Sequence, residues 1–317
     1  MVRIAKDSLQ APAGLSGLPP FPGWARARVM ADDVAEGAFV AGAALAALHP
    51  VALASEPLGF LLRKRLALKN TAAIVRLEGR KEGEAELRDA WMLRRPGDDP
   101  GPAGRVLDLW RRLGERQALS PEKWPDILPA TLGLADQHLR GEIFGEAERI
   151  ASGNDSAIVA ASKVAAMVVA RAPEAEATAL WLADAVLALR LKWPAPVPLI
   201  AQYVKRMDLQ VAAAGSGDAP AWLRICCHAY ARAAADAFDL HADLTRRAER
   251  LLAVAPKLRT KEAPALVVTL MSEDVLAAAS VSRSMSDRSG RRFFDRLVSL
   301  GAVRELTGRP TFRLYGL

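Results

Sequence analysis

Apolar residues recur every three to four positions along most of the chain, from about residue 31 to about residue 255. This spacing places them on one face of an α-helix, so it predicts a succession of amphipathic helices. Prolines and glycines interrupt the pattern and mark the expected helix ends. The predicted helices span residues 31–48, 57–78, 82–94, 103–115, 121–130, 134–151, 155–171, 174–191, 197–206, 219–237 and 240–255.

The pattern changes near Lys257. Apolar residues within 262–281 predict two short helices, with Ser272 as the N-cap of the second. A third helix follows in "SDRSGRRFFDRLVSLG" (286–301), and alternating apolar residues then flank the turn "TGRP", as in a β-hairpin. Three helices and a hairpin follow each other in this order in a winged helix-turn-helix. We therefore expect an all-α helical body of about ten helices, with a C-terminal winged helix-turn-helix domain ending in a β-hairpin.

The expected organisation has three parts. Residues 1–28 form an extended, proline-rich N-terminal arm, residues 29–257 the α-helical domain and residues 258–317 the winged-helix domain. A chain of 317 residues is long enough for two domains with a substantial core. Abundant alanine and a low aromatic fraction of 6% also favour helices.

Composition narrows the cellular setting. The chain has two adjacent cysteines, Cys226 and Cys227, which provide no disulfide framework, so we expect a reducing cytoplasm. The N-terminal segment lacks the pattern of a secretory signal. The uncharged stretch from Gly37 to Ser55 is rich in alanine and contains His49-Pro50, which favours a buried helix ending near Leu48 over a membrane span.

Positive charge concentrates at the C-terminus. From Val281 to Leu317, eight arginines stand against three acidic residues, which leaves +5 of the chain's net +7. Such a patch supplies salt-dependent affinity for phosphate. In helix-turn-helix proteins the second helix of the motif enters the major groove of DNA, and a wing tip reaches the backbone. The predicted contacts with double-stranded DNA are Ser286, Arg288, Ser289, Arg291, Arg292 and, at the wing tip, Arg309.

The opposite face of the same helix carries Phe293, Phe294, Leu297 and Leu300, which we expect to be buried. A second interpretation of the arginines stays open. Winged helices also serve as docking surfaces for proteins, so the partner is either DNA or a protein, including a second copy of the chain. Exposed arginines that only solubilise the helix fit this interpretation as well.

A second basic face lies on the helix predicted for residues 57–78. Arg65, Lys69, Arg76 and Arg80 are spaced by 4, 7 and 4 residues and share one side of a helix. We favour a solvated face, or one paired with the acidic side chains of Glu174, Glu176 and Asp184, over a second nucleic-acid site.

Other candidate chemistry is weak. The segment "RPGDDPGPAG" (95–104) is interpreted as a structured turn, with Asp98 and Asp99 as metal ligands the remote alternative. Cys226, Cys227 and His228 are consecutive and point about 100° apart on a helix, so core packing is favoured over a metal site. Without a recognised catalytic motif we expect no enzyme activity, no cofactor and no metal.

Five segments together resemble a family known only as a domain of unknown function, number 1403. They are "KRLALKNTAAIVRLEGRKEGEAELRDAW", "RPGDDPGPAGRVLDLWRRL", "WLADAVLALRLKWPAPVPLIA", "RRAERLLAVAPKLR" and "GRRFFDRLVSLGAVRELTGRPTFRLYGL". The resemblance runs from about Pro22 to Leu317. It implies a single architecture and an origin in rhizobia and other alphaproteobacteria, often on plasmids, and it brings no activity or cofactor.

Overall fold

The computed structural model describes residues 18–54, 57–95, 97–129, 133–214, 220–258, 260–278, 286–308 and 312–317. Within these residues the chain is mostly helical, with a small three-stranded sheet near the C-terminus. The helices are α1 (Val34–Ala52), α2 (Leu58–Leu77), α3 (Glu84–Leu93), α4 (Gly101–Leu113), α5 (Trp124–Ile127), α6 (Gln137–Ser152), α7 (Ala157–Arg171), α8 (Glu176–Arg190), α9 (Arg206–Ala214), α10 (Pro220–Val254), α11 (Ala263–Ser272) and α12 (Asp287–Ser299). The strands are β1 (Leu276–Ala277), β2 (Arg304–Glu305) and β3 (Leu314–Gly316).

The core lies among the helices of the body. The long helix α10 packs along α1, α7 packs against α8, and α2 packs against α4. Helix α8 is buried on every side from Ala177 to Ala188, which explains its almost entirely apolar sequence. Two fully buried indoles donate their N–H groups to main-chain oxygens, Trp181 to that of Leu109 at 3.1 Å and Trp222 to that of Ser162 at 2.8 Å.

The helical character of the body is confirmed, but several predicted helix bounds were wrong. The segments 219–237 and 240–255 form one helix of 35 residues, α10, because no glycine or proline interrupts it after Pro220. The segment predicted as a helix at 197–206 has only a single 3-10 turn at Ile200–Gln202, and α9 begins at Arg206. There the carboxyl group of Asp184 accepts the backbone N–H groups of Leu199 at 2.7 Å and Ile200 at 3.3 Å and holds Leu199 in a non-helical conformation.

Helix α1 continues past its predicted end at Leu48, through Pro50 to Ala52. The proline lies on the exposed side, one turn above the equally exposed Ala46, so solvent can reach the carbonyl that loses its partner. In the part of the chain that the structure describes, α1 is the single helix long and apolar enough to cross a membrane. A third of that stretch is buried, mainly where α1 meets α10.

The C-terminal segment differs from the prediction in one element. Strand β1 stands where the second short helix was expected, and residues 279–285 lie outside the described residues. Ser272 is not an N-cap: it is the last residue of α11, and its hydroxyl donates to the carbonyl of Val268 at 3.1 Å. The predicted hairpin forms two of three antiparallel strands, in the order β1-β3-β2, with Tyr315 opposite both Leu276 and Glu305.

Candidate nucleic-acid interface

Helix α12 begins with a side-chain cap. The hydroxyl of Ser286 accepts the backbone N–H of Ser289 at 3.3 Å, and the two serine hydroxyls lie 2.9 Å apart. Such a cap satisfies one of the four free donors at a helix start. Both serines were predicted to contact DNA, and in the structure both hydroxyls take part in this capping contact.

The apolar face of α12 is buried, as the sequence predicted. Phe293, Phe294 and Leu297 are buried, while Leu300 is half-buried. The ring of Phe294 stacks on that of Tyr315 with centroids 4.4 Å apart. This stack joins α12 to β3 and fixes which side of the helix faces outward.

The outward side of α12 is basic, with four exposed arginines around the exposed carboxylate of Asp295. Arg288, Arg291, Arg292 and Arg296 are all exposed. Among the described residues, none of these four guanidinium groups makes an ion pair or a hydrogen bond. Arginines without an intramolecular partner are free to bind an external anion. Arg296 was missed by the sequence prediction, although it follows Arg292 by four residues and so shares its helical face.

Part of this face borders a groove of about 680 Å³ between α12 and the segment 256–260 that follows α10. Its lining includes three cationic side chains, those of Lys257, Arg292 and Arg296. Ser289 also lines the groove. No carboxylate lines the groove within the described residues. The basic face of α12 therefore extends onto the chain that connects it to the body.

The turn between β2 and β3 is organised by Glu305. Its carboxylate accepts the backbone N–H of Thr307 at 2.8 Å and of Gly308 at 3.1 Å, and also the Thr307 hydroxyl. Gly308 has φ +62°, in the left-handed region that glycine adopts without strain. The predicted wing-tip contact, Arg309, lies outside the described residues. Phe312 beyond it is 73% exposed.

The basic side chains of α2 have another role. The Nε atom of Arg65 lies 2.7 Å from Oδ1 of Asp274, and its Nη2 donates to the carbonyls of Asp274 at 2.9 Å and Leu317 at 3.2 Å. The neighbouring Lys64 pairs with Glu273 at 2.7 Å. Arg65 was predicted to be solvated or to pair with Glu174, Glu176 or Asp184, and this prediction was wrong. The reason is that the C-terminal segment folds back over α2 and supplies the partners of Arg65.

Arg88 of α3 also holds the C-terminal segment, since its Nη2 donates to the carbonyl of Leu306 at 3.0 Å. Further along α2, Arg76 is exposed as expected. Arg80 pairs with the nearby Glu82. The carboxylate of Glu176 forms an ion pair with Arg206 at 3.6 Å, and not with one of the basic side chains predicted on α2. The basic face predicted on α2 is thus divided between a covered part and a solvated part.

The remaining candidates have structural roles. Asp98 accepts the backbone N–H of Arg95, and Asp99 accepts that of Gly101 and pairs with Arg105 at 3.0 Å, which confirms a structured turn. Cys226 and Cys227 are free and buried, and burial raises the pKa of the Cys227 thiol to about 11. Within the described ranges, no group of three or more His, Cys, Asp or Glu side chains is arranged to hold a metal ion.

These features define a mostly helical protein whose C-terminal segment carries a small three-stranded sheet and an arginine-faced helix. The family model described as "Protein of unknown function (DUF1403)" matches residues 11–317, so the chain belongs to this family. A search of the curated proteins gives no match. The family membership confirms the resemblance seen in the sequence and leaves the function to be inferred from the residues themselves.

Proposed function

We propose that the protein binds double-stranded DNA in the cytoplasm through a C-terminal winged helix, as a regulator or a plasmid-maintenance factor. The observation that carries the proposal is the exposed face of α12, where the guanidinium groups of four arginines make no ion pair or hydrogen bond with any described residue. An unpaired guanidinium can neutralise a phosphate or bind the O6 and N7 atoms of guanine with both arms of its fork.

The order of elements supports the winged-helix interpretation. A helix, α11, leads to a short strand; α12 follows after residues 279–285, and two strands joined by a turn end the segment. The sheet order β1-β3-β2 is the one expected when the wing strands pair with a strand that precedes the recognition helix. In this interpretation α12 is the recognition helix, and its N-terminal half, with Arg288, Arg291 and Arg292, points toward the major groove.

The groove beside α12 supports a contribution from the connecting segment. Lys257 and Arg296 lie at the edge of the same face as Arg292. Cations distributed in this way can contact phosphates on both sides of a major groove. Contacts of this kind position the protein on the duplex, whereas the residues at the start of α12 select the sequence.

The test compares DNA binding by two double variants that lose the same charge. Arg288→Ala/Arg292→Ala removes two arginines of α12; Arg76→Ala/Arg116→Ala removes two exposed arginines of the body that likewise have no ion pair among the described residues. Fluorescence anisotropy with duplexes selected from a fragment library should show affinity reduced by about tenfold or more for the first variant. The control should stay within about twofold of the wild type.

If both double variants lose the same DNA affinity, binding depends only on the net charge of the protein. That result would contradict a DNA site on α12. Wild-type protein that selects no duplex from the library would contradict the DNA proposal as a whole. Circular dichroism of both variants establishes that each is folded.

A second function, docking of another copy of the chain, is favoured by one observation. Phe312, beside the turn between β2 and β3, is an exposed aromatic residue on a surface otherwise rich in arginine. Exposed aromatic side chains are common at the centre of protein interfaces. On this alternative, Phe312→Ser abolishes self-association in analytical ultracentrifugation, while Arg288→Ala/Arg292→Ala leaves it unchanged. The opposite pattern would exclude it.

A further inference from the structure

A separate cleft of about 670 Å³ opens between α2, the C-terminal end of α4 and the C-terminal end of α11. It lies in the body, away from α12. Its lining has four cationic side chains, Arg63, Lys64, Arg111 and Arg112, against three acidic ones, Asp108, Glu115 and Glu273. The indole of Trp91 forms part of its wall. The cleft therefore combines positive charge with an aromatic surface.

Arg111 is the unusual member of this group. Its guanidinium carbon lies 4.9 Å from the centre of the Trp91 ring, and that of Arg94 lies 4.3 Å from the same ring. The Nε atom of Arg111 is buried without a hydrogen-bond partner, as are the Nε atoms of other arginines such as Arg65 and Arg140. Within the described part of the chain, the guanidinium of Arg111 makes neither an ion pair nor a hydrogen bond.

Several other half-buried arginines donate to oxygen atoms. Arg65 holds the carboxylate of Asp274 and two main-chain carbonyls. Arg140 donates to the carbonyl of Leu128 at 2.8 Å, and Arg224 donates to that of Asp32 at 2.9 Å. Arg111 is half-buried as well but, like Arg94 on the same indole, makes no hydrogen bond or ion pair through its guanidinium among the described residues.

Two of the three carboxylates that line the cleft are already paired, whereas the third, Glu115, is exposed and makes no ion pair among the described residues. Glu273 lies 2.7 Å from Lys64, and Asp108 lies 2.7 Å from Arg112. Burial lowers the pKa of Arg111, and the fields of Asp274, Glu273 and Asp108 only partly oppose this effect. A guanidinium withdrawn from water without a hydrogen-bonded counter-ion is unfavourable.

We propose that this cleft binds a small oxyanion, a carboxylate or a phosphate, whose oxygen atoms accept hydrogen bonds from the guanidinium of Arg111. The planar fork of an arginine suits two oxygens of either group, and Trp91 holds the fork in place from one side. Since Ser272 and Glu273 border the cleft, a bound anion would lie between the helical body and the segment that leads to β1.

The proposal does not depend on DNA binding and is tested without it. Melting temperatures of the full chain are measured with increasing sodium phosphate or sodium succinate, while sodium chloride keeps the ionic strength constant. The wild type should show a saturable rise with at least one of the two anions, because a ligand that binds only the folded state stabilises it. A rise with phosphate alone or succinate alone assigns the class of ligand.

Two variants locate the effect. Arg111→Gln removes the charge and should abolish the saturable rise, whereas Arg105→Gln, on the same helix but outside the cleft, should retain it. Arg111→Lys keeps the charge and loses the fork, so the anion concentration at half-saturation should increase about tenfold. This third variant provides the binding test if Arg111→Gln does not fold.

Three results would overturn the proposal. One is the absence of a saturable rise with either anion in the wild type. Another is a rise that persists unchanged in Arg111→Gln, or in Arg111→Lys where Arg111→Gln does not fold. The last is an equal loss in Arg105→Gln, which would assign the effect to general surface charge.

Discussion

Helices α2 and α12 both carry arginines at helical spacing, yet the two sets have opposite environments. The side chain of Arg65 on α2 is only 16% exposed and touches a carboxylate that is 2% exposed. Arg288, Arg291 and Arg292 on α12 are exposed and have no ion pair among the described residues. The difference arises because α2 is covered by α4, α10 and α11, whereas α12 uses only its apolar face for packing.

A run of basic residues on a helix therefore does not by itself indicate a binding surface. On α2 the positive charge attaches the C-terminal segment to the body. On α12 it remains available to an external anion. Burial and partners separate these two roles, whereas residue type does not.

The largest expected effect is on the buried pair. Asp274→Ala leaves Arg65 without its carboxylate in a covered position, and we expect a loss of about 4 kcal/mol in the free energy of unfolding. The adjacent Glu273→Ala breaks the more exposed pair with Lys64 and should cost about 1 kcal/mol or less. Urea denaturation of both variants measures the difference, and equal losses would refute the structural role given to Arg65.

A pH measurement examines the buried carboxyl of Asp184, which has no cationic partner in the part of the chain that the structure describes. Burial raises the pKa of Asp184 to about 8, although hydrogen bonds from Leu199 and Ile200 act in the opposite direction. The folded protein therefore binds a proton that the unfolded chain has already released above roughly pH 4. Stability should fall as the pH rises from about 5 to about 8, on the order of 1 kcal/mol per pH unit.

Asp184→Asn should remove this dependence, because the amide does not ionise. Urea denaturation at several pH values compares the two proteins. The opposite result is a wild-type free energy of unfolding that increases between about pH 5 and pH 8, and increases more than that of Asp184→Asn. That result would mean that the carboxyl group of Asp184 is ionised in the folded state.

The smallest expected effect is on the stability of α12 variants. Arg288→Ala/Arg292→Ala should change the free energy of unfolding by no more than about 0.5 kcal/mol, since neither side chain is packed or paired. Urea denaturation checks this value. A loss of 2 kcal/mol or more would show that these arginines are structural like Arg65.

Local features of the sequence were sufficient to predict α12. The buried face with Phe294 and the turn at Gly308 each depend on neighbouring residues, and the structure contains both. The cap at Ser286 is equally local, but Ser286 was predicted as a DNA contact and not as a cap. Most body helices were also predicted, because their apolar spacing is strong. The described site residues were correctly placed on the exposed side of α12, and Arg296 could have been added from its spacing.

The failures involve partners that are distant in sequence. At 197–206, Asp184 holds the non-helical backbone around Leu199 through a hydrogen bond that depends on the packing of α8. The partner of Arg65 lies 209 residues away, and no local pattern reveals that β1 and its flanks return to α2. Strand β1 itself is only two residues long and occurs in an alanine-rich segment typical of a helix.

We propose that the arginines of α12 contact DNA phosphates and bases and that the arginines of the body do not. The most direct measurement is the slope of log K against log[KCl] for a selected duplex. Removing Arg288, Arg291 and Arg292 together should make this slope shallower by about 2 to 3, close to one for each lost phosphate contact. Arg76→Ala/Arg116→Ala should leave it unchanged. Equal slopes for wild type and the triple variant would contradict the account.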